Sequence, residues 1–128
     1  METVFVFVSR ARFPTVDAAY EFVDQAYTED GDLVPSRFVT EVALAEYEPM
    51  CIEVVHSPRA LPLPELLQRA SFAEQWVSQL DPTLLADTAV CVFSPNAVAQ
   101  PEARSLTYVG VFGDRANGRE VPDRLDPI

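Results

Sequence analysis

Residues 3–9, Thr-Val-Phe-Val-Phe-Val-Ser, are β-branched or aromatic almost without a break and apolar at odd and even positions alike. Successive side chains of a strand point to opposite faces, so this stretch is apolar on both faces and reads as a central, buried strand. The rest of the chain has to supply its neighbours and its cover. Met50–His56, apolar apart from Glu53 and its closing histidine, reads as a second strand, and Thr88–Ser94 as a third. Ser105–Phe112 reads as a fourth, with Leu106, Tyr108, Gly110 and Phe112 on one face and Thr107, Val109 and Val111 on the other. The third and fourth strands are expected to pair as an antiparallel hairpin.

Helical patterns fill the intervals. Thr15 is a candidate N-cap with Asp17 in the first turn, where the helix dipole favours a carboxylate. Val16, Ala19, Tyr20, Val23 and Tyr27 then recur at spacings of three and four, which predicts an amphipathic helix to about Thr28. Asp17, Glu21 and Asp24 mark its polar face. Glu29-Asp30-Gly31-Asp32 reads as a turn in which Gly31 supplies a positive φ. Pro35 is expected to open a second helix, with Phe38, Val39 and Val42 as its apolar face. Three prolines in 57–64 (Pro58, Pro62, Pro64) predict irregular structure. Pro64 starts a helix with Leu66, Leu67 and Ala70 inward. Ser71-Phe72-Ala73-Glu74 has the form of a capping box for another, carrying Trp76, Val77 and Leu80 and ended by Asp81-Pro82. The order β-α-α-β-α-α-β-β gives an α+β fold: a mixed sheet of about four strands with helices packed on it. Residues 1–113 form a single domain, and residues 114–128, which lack periodicity, an irregular tail.

With 128 residues, 48% of them apolar, the chain is expected to fold as one domain around one core. No apolar run approaches the ~18–20 residues of a membrane helix. The start, Met1-Glu2-Thr3, lacks the basic region of a signal peptide, so a cytoplasmic protein is expected. Cys51 and Cys91 lie in apolar runs and are read as buried, reduced thiols. The net charge of −11 argues against nucleic acid or an anionic membrane as a direct ligand and favours a cationic partner. That charge is unevenly placed. From Asp17 to Glu53 there are ten carboxylates and one base, Arg37, so this segment holds nine of the eleven net negative charges.

Catalytic and cofactor signatures are missing from the sequence, and neither a cofactor nor a metal is expected. The one histidine, His56, is followed by Ser57, but neighbours on a strand face opposite ways, poor geometry for a base and its nucleophile. Glu29–Asp32 resembles a calcium loop only superficially, since position twelve counted from Glu29 is Thr40, not an acid. A glycosidase would surround its carboxylates with sugar-stacking aromatics, whereas Trp76 falls on an apolar helix face. The acidic block is therefore read as a surface for a basic partner, with Glu29, Asp30, Asp32, Glu46, Glu48 and Glu53 as contacts and Tyr27 and Tyr47 as anchors. Glu53, on a buried-looking strand, has an internal pairing with Arg37 as its other reading. Two alternatives stay open: a small carboxylate-dependent hydrolase, which needs two acids converging in a pocket, and a non-catalytic acidic domain whose charge serves solubility.

The same stretch carries a resemblance. Tyr27, Glu29-Asp30-Gly31-Asp32, Pro35, Ser36 and Phe38, followed by Tyr47-Glu48 and Ile52-Glu53, resemble the immunity protein 22 family of bacterial polymorphic toxin systems. Leu66-Leu67, Ser71-Phe72 and Tyr108-Val109-Gly110 fit the same layout, over residues 3–113. The resemblance implies an α+β cytoplasmic protein without catalytic activity that binds and blocks a cognate toxin, often a nuclease. Met50-Cys51, where acids would be expected, and the residues after Gly113 depart from the pattern.

Overall fold

The computed structural model describes residues 3–44, 48–102 and 105–113; the expected tail at 114–128 lies outside these. Val4–Ser9 is β1, Val16–Val23 α1, Ala26–Tyr27 β2, Leu33–Val34 β3 and Arg37–Val42 α2. A single 3-10 turn, Pro49–Cys51, leads into β4, Ile52–Pro62. Leu63–Leu66 is α3 and Ala73–Trp76 is α4, each prolonged by a 3-10 turn, and Leu85–Phe93 and Thr107–Phe112 are β5 and β6. The α+β class and the four-stranded sheet stand as expected, but among the described strands every pairing is antiparallel, so the sheet is not the mixed one anticipated.

The strand order is β4-β5-β1-β6. β1 is interior, as its double apolar face requires, and its Val4, Val6 and Val8 pair with Phe93, Cys91 and Ala89 of β5. It therefore separates β5 from β6, and the expected hairpin between them does not form. The strand that most needs neighbours takes the inner place, and β6, with Thr107 and Val111 exposed, takes an edge.

Each sheet face has its own layer. On one, Val4, Val6, Val8, Cys91 and Phe93 lie under Leu63, Leu66, Leu67, Trp76 and Leu80. Trp76 is fully buried, stacked on Phe112 at 6.4 Å and edge-on to Phe93 at 6.3 Å, while its indole N–H donates to the Ser71 carbonyl at 3.1 Å. On the other face Phe7, Val90, Val92 and Ile52 meet Val23, Phe38 and Val42 of α1 and α2. Phe38 contacts Phe7 edge-on at 5.2 Å. Each fully buried side chain of this size contributes roughly 1.5–3 kcal/mol of transfer free energy. Cys91 is fully buried and paired across the ladder with Glu53; burial, with that nearby carboxylate, pushes its thiol pKa up, so it stays protonated and unreactive.

Several local expectations are corrected. α1 stops at Val23, because Asp24 turns extended and its N–H closes on the Tyr20 carbonyl at 2.7 Å. Only Ala19 and Val23 of the five-residue stripe are buried, and Tyr27 belongs to a strand. Ser36, not Pro35, begins the next helix: its hydroxyl caps the Val39 N–H at 3.0 Å. Residues 57–62 are strand rather than irregular. Among the described residues β4 is an outer strand paired only with β5, and its register breaks between His56 and Leu61, so Pro58 removes no ladder bond. The capping box is absent: Phe72 precedes α4 in the left-handed region at φ 60°, and the Ser71 side chain turns instead to Glu53. In β6 a register shift opposite Val6 and Phe7, with Gly110 at φ 152°, breaks the simple alternation. Tyr108 packs with the Phe38 layer, and Val109 and Phe112 with the Trp76 layer.

Candidate protein-binding site

The acidic turn closes a hairpin. Ala26 pairs with Val34 and Tyr27 with Leu33. Beyond them Thr28 and Asp32 are joined two ways at the tip: the Thr28 N–H donates to the Asp32 carbonyl at 2.9 Å, and the Asp32 N–H donates to the Thr28 hydroxyl at 3.0 Å. The Gly31 N–H donates to the Thr28 carbonyl at 2.9 Å, giving a four-residue turn. Gly31 sits at φ 85°, and a Cβ there would meet nothing within 4 Å. Conformation, not space, requires glycine at this position.

Every residue of the hairpin from Ala26 to Val34 is exposed. Glu29, Asp30 and Asp32 crowd the tip, and the apolar side chains behind them are open to solvent: Tyr27 69%, Leu33 51% and Val34 45%. The two strands pack chiefly on each other. Leu33 and Val34 were not among the residues singled out from the sequence. The signal for them was present, since Asp-Gly flanked by apolar residues marks a hairpin, but the helical reading extended through Tyr27 concealed it.

The other sequence candidates lie on different elements. Glu48 is exposed and caps the 3-10 turn, accepting from the Met50 N–H at 3.4 Å. Its backbone is clasped by the buried Asn96, which accepts from the Glu48 N–H at 2.9 Å and donates to its carbonyl at 3.0 Å. Glu53 is half-buried, and its carboxylate accepts from the Ser71 N–H at 2.9 Å and from the Ser71 hydroxyl. The anticipated Arg37 partner is engaged elsewhere, with Glu41 at 3.0 Å. Glu46 and Tyr47 lie outside the described residues.

Glu41 ties α2 to the approach of β6. Its oxygens accept from the Ser105 N–H at 3.2 Å, the Ser105 hydroxyl at 2.7 Å and the Arg37 Nε–H. Burial pulls its pKa up, but the Ser105 hydrogen bonds and the Arg37 charge outweigh this and hold it below the ordinary 4.5. Asp81 is likewise held low, by the Thr83 hydroxyl and N–H. These are opposite to the shift a general acid at neutral pH requires. His56 is committed to structure: Nδ1 contacts the Thr88 hydroxyl at 2.8 Å, and that hydroxyl donates to Asp87 at 3.0 Å. Ser57 is buried, and its hydroxyl accepts from the Arg59 N–H at 3.4 Å. Among the described residues, no three of His, Cys, Asp and Glu gather as a metal ligand set, and no helix is long and apolar enough to cross a membrane.

What the fold offers a partner is therefore a three-layer body carrying an exposed acidic and apolar hairpin. The family described as Immunity protein 22 matches residues 4–113, and the chain belongs to that family. Its function is accordingly of the toxin-neutralising class, with a cognate toxin as partner. No curated protein and no solved structure matched the chain.

Proposed function

We propose that this protein neutralises a toxin with a basic surface, acting in the cytoplasm of the toxin's producer, by binding and without catalysis of its own. One observation carries the reading. Between Phe13 and Ser36 there are six carboxylates and no base, and all six (Asp17, Glu21, Asp24, Glu29, Asp30, Asp32) are exposed. Charges left solvated on one segment, with no basic partner among the described residues, make a field that steers a cationic partner and raises its association rate. A toxin that acts on nucleic acid must present a basic surface to hold phosphates, and an acidic inhibitor occupies such a surface directly. A nuclease is therefore the proposed toxin class. The contacts are Glu29, Asp30 and Asp32 with Tyr27 as anchor, extended by Glu46, Tyr47 and Glu48; Glu53 contributes with whatever capacity its Ser71 bonds leave.

The test is retention from the native bacterium on the tagged protein at about 50 and 300 mM salt, bracketing the range over which screening sets in. One basic protein, held at low salt and weakened at high salt, is the expected result. A clean monomer with nothing retained at either salt contradicts the reading.

A further inference from the structure

The cross-strand register of the hairpin settles which of its side chains share a face. Directly opposed residues of an antiparallel pair project to the same side, so Tyr27 and Leu33 lie on one face of the ribbon and Ala26 and Val34 on the other. All four are exposed. The ribbon is thus apolar on both faces and acidic at its tip, where Glu29, Asp30 and Asp32 stand. A flat partner surface could cover only one of those faces. An isolated two-stranded ribbon is marginally stable in water, and a ribbon left apolar on both sides is the kind of surface that marks an interaction site.

We infer that the β2–β3 hairpin is an insertion element: it enters a cleft of the toxin, with its tip against a basic floor and its two faces against apolar walls. The inference rests on the toxin-neutralising reading and deepens it, because it specifies a concave partner site, the form in which a protein holds a polyanion. Charge complementarity selects that occupant over a second copy of this chain, since two acidic tips would repel. In this arrangement the carboxylates set the encounter rate, and Tyr27, Leu33 and Val34 set the lifetime of the complex.

The experiment uses the full chain and the basic protein recovered with it, purified. Single cysteines are placed on the two faces, as Ala26→Cys and Leu33→Cys, in a Cys51→Ser background; Cys91 is buried and does not react. Maleimide labelling rates are compared without and with saturating partner. Insertion predicts that both positions are slowed about tenfold or more. Slowing of one position alone means a flat contact and overturns the inference, as does slowing of neither, while the toxin-neutralising reading survives both results. If wild-type protein retains no partner at all, that reading falls and the inference falls with it. As a second readout, Leu33→Ser combined with Val34→Ser is expected to raise the dissociation rate about 30-fold, the scale of a hot-spot loss, with an unchanged melting temperature. An unchanged dissociation rate overturns the inference.

Discussion

β1 and the β2–β3 ribbon share a property that proteins seldom leave visible: each is apolar on both faces. β1 meets it with a strand on either side and a helical layer above and below, so Val4, Val6 and Phe7 are wholly inaccessible to water. The ribbon has no such cover among the described residues, and Tyr27 is 69% exposed. The same hydrophobic free energy is thus spent on folding in one region and left available in the other. Lengths and charges account for the division. Six residues of β1 pair along two neighbours, whereas two-residue strands ending in three carboxylates cannot be drawn into a core without desolvating charge.

Disrupting the buried region should show the larger effect. Trp76→Ala removes the ring that joins Phe93 and Phe112 to the Leu63, Leu66 and Leu67 layer and is expected to cost about 3–5 kcal/mol in denaturant unfolding; a loss under about 1 kcal/mol would mean the Trp76 layer contributes little to stability. Next comes the link between layers and loop. Because Glu41 has a folded pKa below 4.5, its contribution is complete above pH of about 4.5 and is lost as pH falls through the lowered value. Glu41→Gln is expected to lower stability by about 1–2 kcal/mol at pH 7 and to flatten the acid limb of stability against pH. An acid limb identical to wild type would remove Glu41 as its source. The smallest effect on the body belongs to the ribbon's tip. Asp30→Asn with Asp32→Asn should leave unfolding within about 0.5 kcal/mol of wild type while slowing toxin association about tenfold and flattening its salt dependence. Slower association with an unaltered salt slope would assign the effect to shape rather than charge.

How much of this could be read in the sequence follows from how local each cause is. The central place of β1, the Thr15 cap (bonding the Ala18 N–H at 3.1 Å), the positive φ of Gly31 and the burial of Trp76 depend on a few adjacent residues, and each was legible. Strand order was not, because the position of β1 between β5 and β6 is decided by competition among distant strands. The prolines at 58 and 62 pointed away from a strand for a sound local reason, and the edge position of β4 overrode it. Ser71 had the right spacing to cap α4, yet a carboxylate eighteen positions earlier claimed its hydroxyl. Around the site, the charge segregation was plain in the sequence. The pairing that sets Tyr27 beside Leu33 was hidden by a helical period that happens to continue past the true end of α1.

The most direct measurement is protection of cells. The recovered toxin, expressed in a bacterium lacking its own immunity, is accompanied by wild-type protein or by a variant carrying Tyr27→Ala, Leu33→Ser and Val34→Ser. Melting temperature and soluble level are matched beforehand. The account predicts that wild type restores growth and that the variant, equally folded, does not. A folded variant that protects as fully as wild type would contradict it and place the toxin's contact elsewhere on the body.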